Sequence, residues 1–415
     1  MNNNIDKIYQ ELGDQVCLYP FFNGFYQTNH MTRVGQVPKN TIRPCSVIND
    51  QPKYFGEEST WASWDVNTTI NDARNSDRWI ELRKTFIEGT ADDVVDCKAC
   101  AFNDRTGAIS ARKMNNVFYA EHLSVDIIQE VKNIIANGYK TDKLITMDYY
   151  PSNYCNYECV MCSGGASSKR HTFEIKFLHN FRKLTLNQPD ADFYELLKHV
   201  EIINLTGGET ILQPQVEELI DYLIAQDLAK NLYITLITNA SNIPTKMTER
   251  FAKFKNVFYT ISIDGIDDVI EYQRRGCNWK TVGQNALFIY ENYKSVVNCV
   301  LTAINVWGID KLFDWFETHG ITNICISPVF RELYLTVEVI PNEIKIPLIQ
   351  RLAAKQSTMT IPVYKELYDN VLGVLRNTEH KPLQLAKFIQ KMRIEDKTSK
   401  KSLVEVVPEW RPYFE

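Results

Sequence analysis

The sequence predicts an α/β fold, a partial (β/α)6 TIM-like barrel with a small irregular α+β domain at its N-terminus. Three observations predict it. From Leu144 onward, short β-branched runs alternate with longer amphipathic stretches, the rhythm of βα units around a parallel sheet. Before about residue 105 that rhythm is absent, and the chain is rich in Asn, Thr, Asp and aromatic residues. Each conspicuous polar motif of the later part falls just after a strand candidate, on the rim where parallel sheets collect their ligands.

Residues 1–105 contain one clear helical stretch, SDRWIELRKTFIEG (76–89), and read as a small domain of the kind that relies on a metal staple. Residues 106–140 form a linker region. Its helix at about 121–137 has Gly138 as its C-cap. The barrel spans 141–335. Its strand candidates are LITMDYY (144–150), VEIINLT (200–206), LYITLIT (232–238), VFYTISI (257–263), VVNCVLTAI (296–304) and ITNICISPV (321–329). These read as the near-continuous apolar runs of strands buried on both faces. Residues 336–415 are a helical extension, and the apolar tail SLVEVVPEWRPYFE is expected to pack back on the barrel.

The net charge is −5, and Lys and Arg are spread along the chain, so no nucleic-acid footprint is expected. The start MNNNIDKIYQELGDQ lacks an apolar h-region, and no stretch approaches the roughly eighteen apolar residues of a membrane span. A cytoplasmic protein without membrane contact is expected. In a reducing compartment ten cysteines are metal ligands or small buried apolar residues rather than disulfides. Seven of them form two constellations, and Cys277, Cys299 and Cys325 read as structural singles.

The denser constellation is Cys155, Cys159 and Cys162, Cys-x3-Cys-x2-Cys on a loop after the first barrel strand. Thiolates so spaced reach one iron-sulfur cluster and leave its fourth iron without a protein ligand. An open iron can chelate a substrate's amine and carboxylate. Spacing alone also allows a zinc site with a distant fourth ligand, or a ferredoxin-like cluster closed by a remote cysteine such as Cys325.

This spacing resembles the signature of the radical S-adenosylmethionine (radical SAM) superfamily. The resemblance implies a 4Fe-4S cluster at the three cysteines, with S-adenosylmethionine bound to the open iron. Met161 stands where the family places a bulky residue beside the adenine. Gly207, Gly208 and Glu209, followed by Thr210 where the family often has proline, resemble the Gly-Gly-Glu motif that holds the methionine ammonium. Glycines let main chain approach a ligand, and a carboxylate pairs with an amine. Ser262 and Asp264 resemble the fourth-strand residues that meet ribose hydroxyls, and Asn239 a third-strand end. Arg274, or its neighbour Arg275, is expected at the methionine carboxylate or ribose. Asn305 lies where a fifth-strand polar residue contacts the cofactor.

Cys17, Cys45, Cys97 and Cys100 resemble the ligands of a Twitch/SPASM-like auxiliary domain and imply a second, auxiliary iron-sulfur cluster. Four cysteines in two separated halves could equally hold zinc. In the better-known enzymes this domain follows the barrel, whereas here it precedes it. Together the resemblances imply a radical SAM enzyme, an oxidoreductase or modifying enzyme that generates a 5′-deoxyadenosyl radical and abstracts hydrogen from a peptide or protein. The auxiliary cluster would accept an electron or position the substrate. An external one-electron reductant of the flavodoxin or ferredoxin type is implied. The alternatives are a dehydrogenase of a small sugar-like alcohol and a non-catalytic iron-sulfur or zinc-stapled protein.

Overall fold

The computed structural model describes residues 3–32, 41–45, 69–89, 110–179, 183–186, 191–329 and 332–415, with positions 94, 97, 100, 101, 104 and 189 between them. The eight strands of its main sheet are β1 (Asn23–Gln27), β2 (Thr41–Arg43), β3 (Thr146–Tyr150), β4 (Ile202–Leu205), β5 (Tyr233–Thr238), β6 (Asn256–Ser262), β7 (Lys294–Leu301) and β8 (Ile324–Pro328). Their spatial order is β8-β7-β6-β5-β4-β3-β1-β2. All neighbours from β1 to β8 are parallel, and only β2 runs antiparallel. The six expected barrel strands are therefore present, in order and parallel.

Two expectations change. The sheet crosses the boundary drawn at residue 105, because Asn23 to Gln27 pair in register with Thr146 to Tyr150. A buried run, Val16 to Tyr26 apart from Cys17 and Tyr19 at a few per cent exposure, supplies the apolar content for that extra strand. The N-terminal part also carries helix α1 (Asn3–Leu12), whose Ile5, Ile8 and Leu12 lie on one buried face. Secondly, the strands are not buried on both faces. β6 and β7 alternate buried with half-buried positions, one face packed into the core and the other only partly covered.

The expected helix at 76–89 is α2 (Asp77–Glu88). The linker divides into α3 (Ala111–His122) and α4 (Ile127–Ala136). Asn137 caps α4, and Gly138 follows it in the left-handed region at φ 66°. Tyr139 N then donates to Ile134 O and Gly138 N to Ile135 O, which satisfies carbonyls the helix leaves unpaired.

The C-terminal extension is helical as expected, with α5 (Asn342–Ser357), α6 (Pro362–Arg376) and α7 (Pro382–Glu395). The tail packs on the barrel: Trp410 is wholly buried and its Nε1 donates to Ala303 O at 3.2 Å. The firmest tie is electrostatic. Glu395 at the end of α7 accepts both Nη groups of Arg170, at 2.9 and 2.7 Å, and pairs with Arg275. All three are buried, and the Phe173 ring lies 4.4 Å from the Arg170 guanidinium carbon and 4.9 Å from that of Arg275. Removing one member of a buried ionic group leaves the others uncompensated. Glu395→Gln is expected to cost about 3–5 kcal/mol, seen as a lower denaturant midpoint. A midpoint equal to that of the wild type would show that the brace adds no stability.

Candidate functional site

Cys155, Cys159 and Cys162 lie on the loop that leaves the C-terminal end of β3. Two backbone appositions fix that loop. On one side, Gly208 N donates to Ser152 O and Glu209 N to Tyr154 O, at 3.1 and 2.8 Å. A Cβ on Gly208 would stand 2.0 Å from Tyr154 O, and one on Gly207, at φ 123°, 2.6 Å from Ser152 O. The glycines thus let main chain approach the cysteine loop itself. On the other side, Arg274 pairs antiparallel with Cys159 and Arg275 with Glu158.

Strand alternation separates those two arginines. Arg275 points to Glu158 and Glu395, away from the thiols. Arg274 points inward, and its Nε donates to Asp264 Oδ2 at 2.6 Å. Its charge acts on Cys155, Cys159, Cys162 and Glu209. Of the two candidates, Arg274 is the one beside the cysteines. Burial pushes all three thiols up, Cys162 to about 11, and Arg274 only partly offsets this. A soft metal centre replaces such protons and holds the sulfurs as thiolates, so the donor set fits an iron-sulfur cluster. Among the described residues no three of His, Cys, Asp and Glu are drawn together as around a single metal ion. A cluster asks for less, since each thiolate binds its own iron.

Glu209 is almost fully buried at the end of β4. Its carboxylate accepts from Thr238 Oγ1 at 2.5 Å and Asn239 N at 2.7 Å, and burial nevertheless raises its pKa to about 7. Met161 is half-buried against the core. The Asn239 side chain donates to Asn156 Oδ1 and accepts from Ser241 N, which ties the third-strand end to the cysteine loop. Ser262 lies in the inner-face row described below and is 7 % exposed.

Asp264 and Asn305 are both engaged within the protein. Asp264 is fully buried with both oxygens engaged, one by Arg274 and the other by Val300 N at 2.7 Å. Asn305 donates to Asp264 O and Val300 O and accepts from Thr302. These two residues position Arg274 and the loop after β6.

Cys45, Cys97 and Cys100 come within electrostatic reach of Cys17: burial raises the Cys17 thiol most, and the other three raise it further. Arg112 and Asn116 on α3 hold the Cys17 loop through Val16 O and Leu18 N. The backbone amides that open α3 meet Cys100. Asn23 donates to Pro44 O beside Cys45. Asn23 begins β1, so this group lies toward the N-terminal ends of the strands, opposite the trio. Lys98 and Ala99 between the last pair, and residues 103 and 105–109 after it, lie outside the described residues.

Between the two groups the inner face is polar. Asp148, Asn204 and Thr235 stand in register on β3, β4 and β5. Asp148 accepts from Asn204 Nδ2 at 2.5 Å and from Asn23 Nδ2 at 3.1 Å, and Thr235 bonds Asn204. Further along, Ser262, Asn298 and Cys325 form a second row. Asp148 was missed from sequence, although a lone carboxylate inside the apolar run LITMDYY was the available signal.

With these features the molecule is an open parallel α/β barrel that carries a three-thiol loop at the C-terminal edge of its sheet. Residues 149–316 match the family model of the radical SAM superfamily, so the chain carries a radical SAM superfamily domain. It is 24% identical over 212 residues to 7-carboxy-7-deazaguanine synthase of Clostridium acetobutylicum, covering 50% of this chain and 83% of that one. It is 25% identical over 176 residues to the mycofactocin maturase MftC of Mycobacterium ulcerans, covering 40% of this chain and 43% of that protein. Among solved structures, Streptococcus suis SuiB bound to precursor peptide SuiA is similar at 18% identity and TM-score 0.38, with 62% of this chain and 59% of that one covered. The structure titled anSMEcpe with bound AdoMet and Kp18Cys peptide is similar at 18% identity and TM-score 0.36, covering 46% of this chain and 52% of that one. The chain thus spans less than half of the maturase and between half and three-fifths of these solved chains.

Gly208→Ala is expected to cost more than about 2 kcal/mol and to lower iron and sulfide uptake on reconstitution. Gly373→Ala in α6, where an added Cβ meets nothing within 4 Å, should instead add about 0.5–1 kcal/mol. Equal behaviour of the two variants would refute the close-approach role. Asp148 supplies a pH test. Burial raises its pKa to about 6 from the ordinary 3.8, so the folded state binds this proton more tightly than the unfolded chain. The resulting stabilisation is complete below pH 3.8 and disappears as pH rises through about 6, an effect on the order of 2–3 kcal/mol. The wild type should lose stability relative to Asp148→Asn across that interval. A constant difference would show that Asp148 titrates normally.

Proposed function

We propose that this chain is a radical SAM enzyme whose cluster is held by Cys155, Cys159 and Cys162 and whose substrate is a peptide or protein. The carrying observation is the convergence of three thiols, Glu209 and Arg274 at the C-terminal edge of one parallel sheet. When bound, the cluster and S-adenosylmethionine supply a 5′-deoxyadenosyl radical, which takes a hydrogen atom from the substrate. The residues around it bind and orient. In this reading Glu209 pairs with the methionine ammonium, and the Arg274 fork, bonded through Nε to Asp264, offers its Nη donors to a carboxylate. Gly207 and Gly208 hold the cysteine loop close, and Met161 and Ser262 flank the nucleoside in this reading. Asn239 steadies both Glu209 and the cysteine loop.

The inner-face rows from Asp148 to Cys325 form the substrate chamber, and their amides and hydroxyls suit a polar group. The group of Cys17, Cys45, Cys97 and Cys100 is proposed to hold an auxiliary iron-sulfur cluster below that chamber, for electron acceptance or substrate anchoring. Peptide modification rests on the resemblance of the N-terminal part to Twitch/SPASM-like domains. A small-molecule substrate is the second reading, favoured by the match to most of the length of a relative named for making 7-carboxy-7-deazaguanine.

The test is anaerobic reconstitution followed by reduction in the presence of S-adenosylmethionine. Formation of 5′-deoxyadenosine is expected, and its absence with a full cluster present would falsify the enzyme reading. Replacing Cys155, Cys159 and Cys162 together by Ala should abolish cleavage. The Cys97→Ala, Cys100→Ala double variant should stop substrate turnover yet spare uncoupled cleavage. Loss of uncoupled cleavage in a folded double variant would overturn the division of labour between the two cysteine groups.

A further inference from the structure

The C-terminal extension covers the back of the cysteine loop, and its segment 387–401 is rich in cationic residues. Arg170, which pairs with Glu395, also acts on the Cys162 thiol. Glu395 O accepts from Arg275 Nη1 at 3.2 Å, and Thr398 Oγ1 reaches Glu158, the residue before Cys159, at 3.5 Å. The segment after α7 is thus a side chain or two from Cys159 and Cys162. Cys162 itself is only half-buried, and its neighbour Ser163 is exposed.

Between Lys387 and Lys401 the chain carries six cationic residues against two carboxylates, within a protein whose net charge is −5. Both carboxylates are turned inward. Glu395 is enclosed by its two arginines, and Asp396 accepts from Tyr272 Oη at 2.7 Å and Leu403 N at 2.9 Å. Arg393 donates to Phe414 O and Lys401 pairs with Asp268. Lys387, Lys397 and Lys400 are exposed and Lys391 half-exposed, while Lys387 and Lys391 share a helix face by their i, i+4 spacing. Lys169, beside Arg170, is also exposed. The carboxylates nearest this face are Asp268, paired with Lys401, Glu405, which accepts from Ser402 N, Glu158, held by Arg275, and Glu271, which accepts from Trp279 N.

We propose that the face formed by residues 387–401 is the docking surface for an acidic one-electron carrier of the flavodoxin or ferredoxin type. This inference rests on the reading that the three cysteines hold a cluster that must be reduced from outside. A cationic face steers an acidic partner and orients it, and this one lies directly behind two of the three thiols.

The test measures binding of an acidic flavodoxin to the unreconstituted chain by calorimetry, at low and at raised salt. The triple variant K391E/K397E/K400E is expected to bind at least about tenfold more weakly, with a smaller salt dependence. After reconstitution, its flavodoxin-driven formation of 5′-deoxyadenosine should fall while the dithionite-driven rate stays at the wild-type level. The pair K253E/K255E, just before β6 at the opposite end of the barrel, should leave both unchanged. Unaltered affinity in the triple variant, or an equal loss in the control pair, overturns the proposal. If melting shows the triple variant to be misfolded, K391Q/K397Q/K400Q takes its place, with about a threefold loss expected. Failure of dithionite to drive cleavage in the wild type would sink the enzymatic reading, while the binding measurement still decides the surface.

Discussion

One buried cation organises the site. Arg274 is set among three thiols and two carboxyl groups, Asp264 and Glu209, in a region where an unpaired charge costs several kcal/mol. Burial by itself would weaken its hold on the proton, and Asp264, at 2.6 Å, leads the neighbours that together more than reverse that. Asp264 can do so because Val300 N and the Asn305 amide fix its own position. The backbone of Arg274 meanwhile pairs with Cys159, so one residue locks the cysteine loop from behind and sets the charge within it. Gly276, at φ 98°, makes the turn out of this pairing, with room for a Cβ only 3.1 Å from Asn156 O.

The opposite flank of the loop depends on packing rather than charge. Gly207 and Gly208 bring the end of β4 so close to Ser152 and Tyr154 that two main-chain hydrogen bonds replace side-chain contact. The same turn delivers Glu209 to Thr238 and Asn239, and Asn239 returns to the loop through Asn156. Glu209 and the cysteines are therefore placed by one rigid unit. A carboxyl group at about 7 in that unit can take a positive partner or remain neutral near physiological pH, according to what lies beside it.

Local features were legible in the sequence. The β-branched runs, the cysteine spacing and the Gly-Gly-Glu turn are each written within ten residues, and the parallel strands stand where the runs predict. What sequence could not supply depends on distant partners. Asp264 and Asn305 resemble ligand contacts by position, but only the fold shows their polar atoms already bonded, across 36 residues to Val300 and 41 to Asn305 for the Asp264 side chain and main chain. Glu395 is unremarkable in a lysine-rich helix until Arg170, 225 residues earlier, meets it. Asn23 opens a strand on the N-terminal side of the boundary drawn at residue 105, and its side chain accepts from Thr146 Oγ1 and donates to Asp148 on the first barrel strand.

That crossing of the boundary bears on how the two cysteine groups relate. A domain placed before the barrel rather than after it leaves the second group's position undetermined by sequence order. The structure removes the ambiguity through β1, which adds the N-terminal part to the sheet beside the first barrel strand. The Cys17 loop and Pro44-Cys45 then fall near the N-terminal ends of the strands, where Tyr119 feels Asp148, Cys17 and Cys45 together. Parallel strands present the Cys155 loop at their other end. Any group bound within the barrel must lie between the two, against the polar rows that begin at Asp148. Chain order is therefore a poor guide to position here, because strand addition puts the early cysteines toward the N-terminal ends of the strands wherever their segment stands in the sequence.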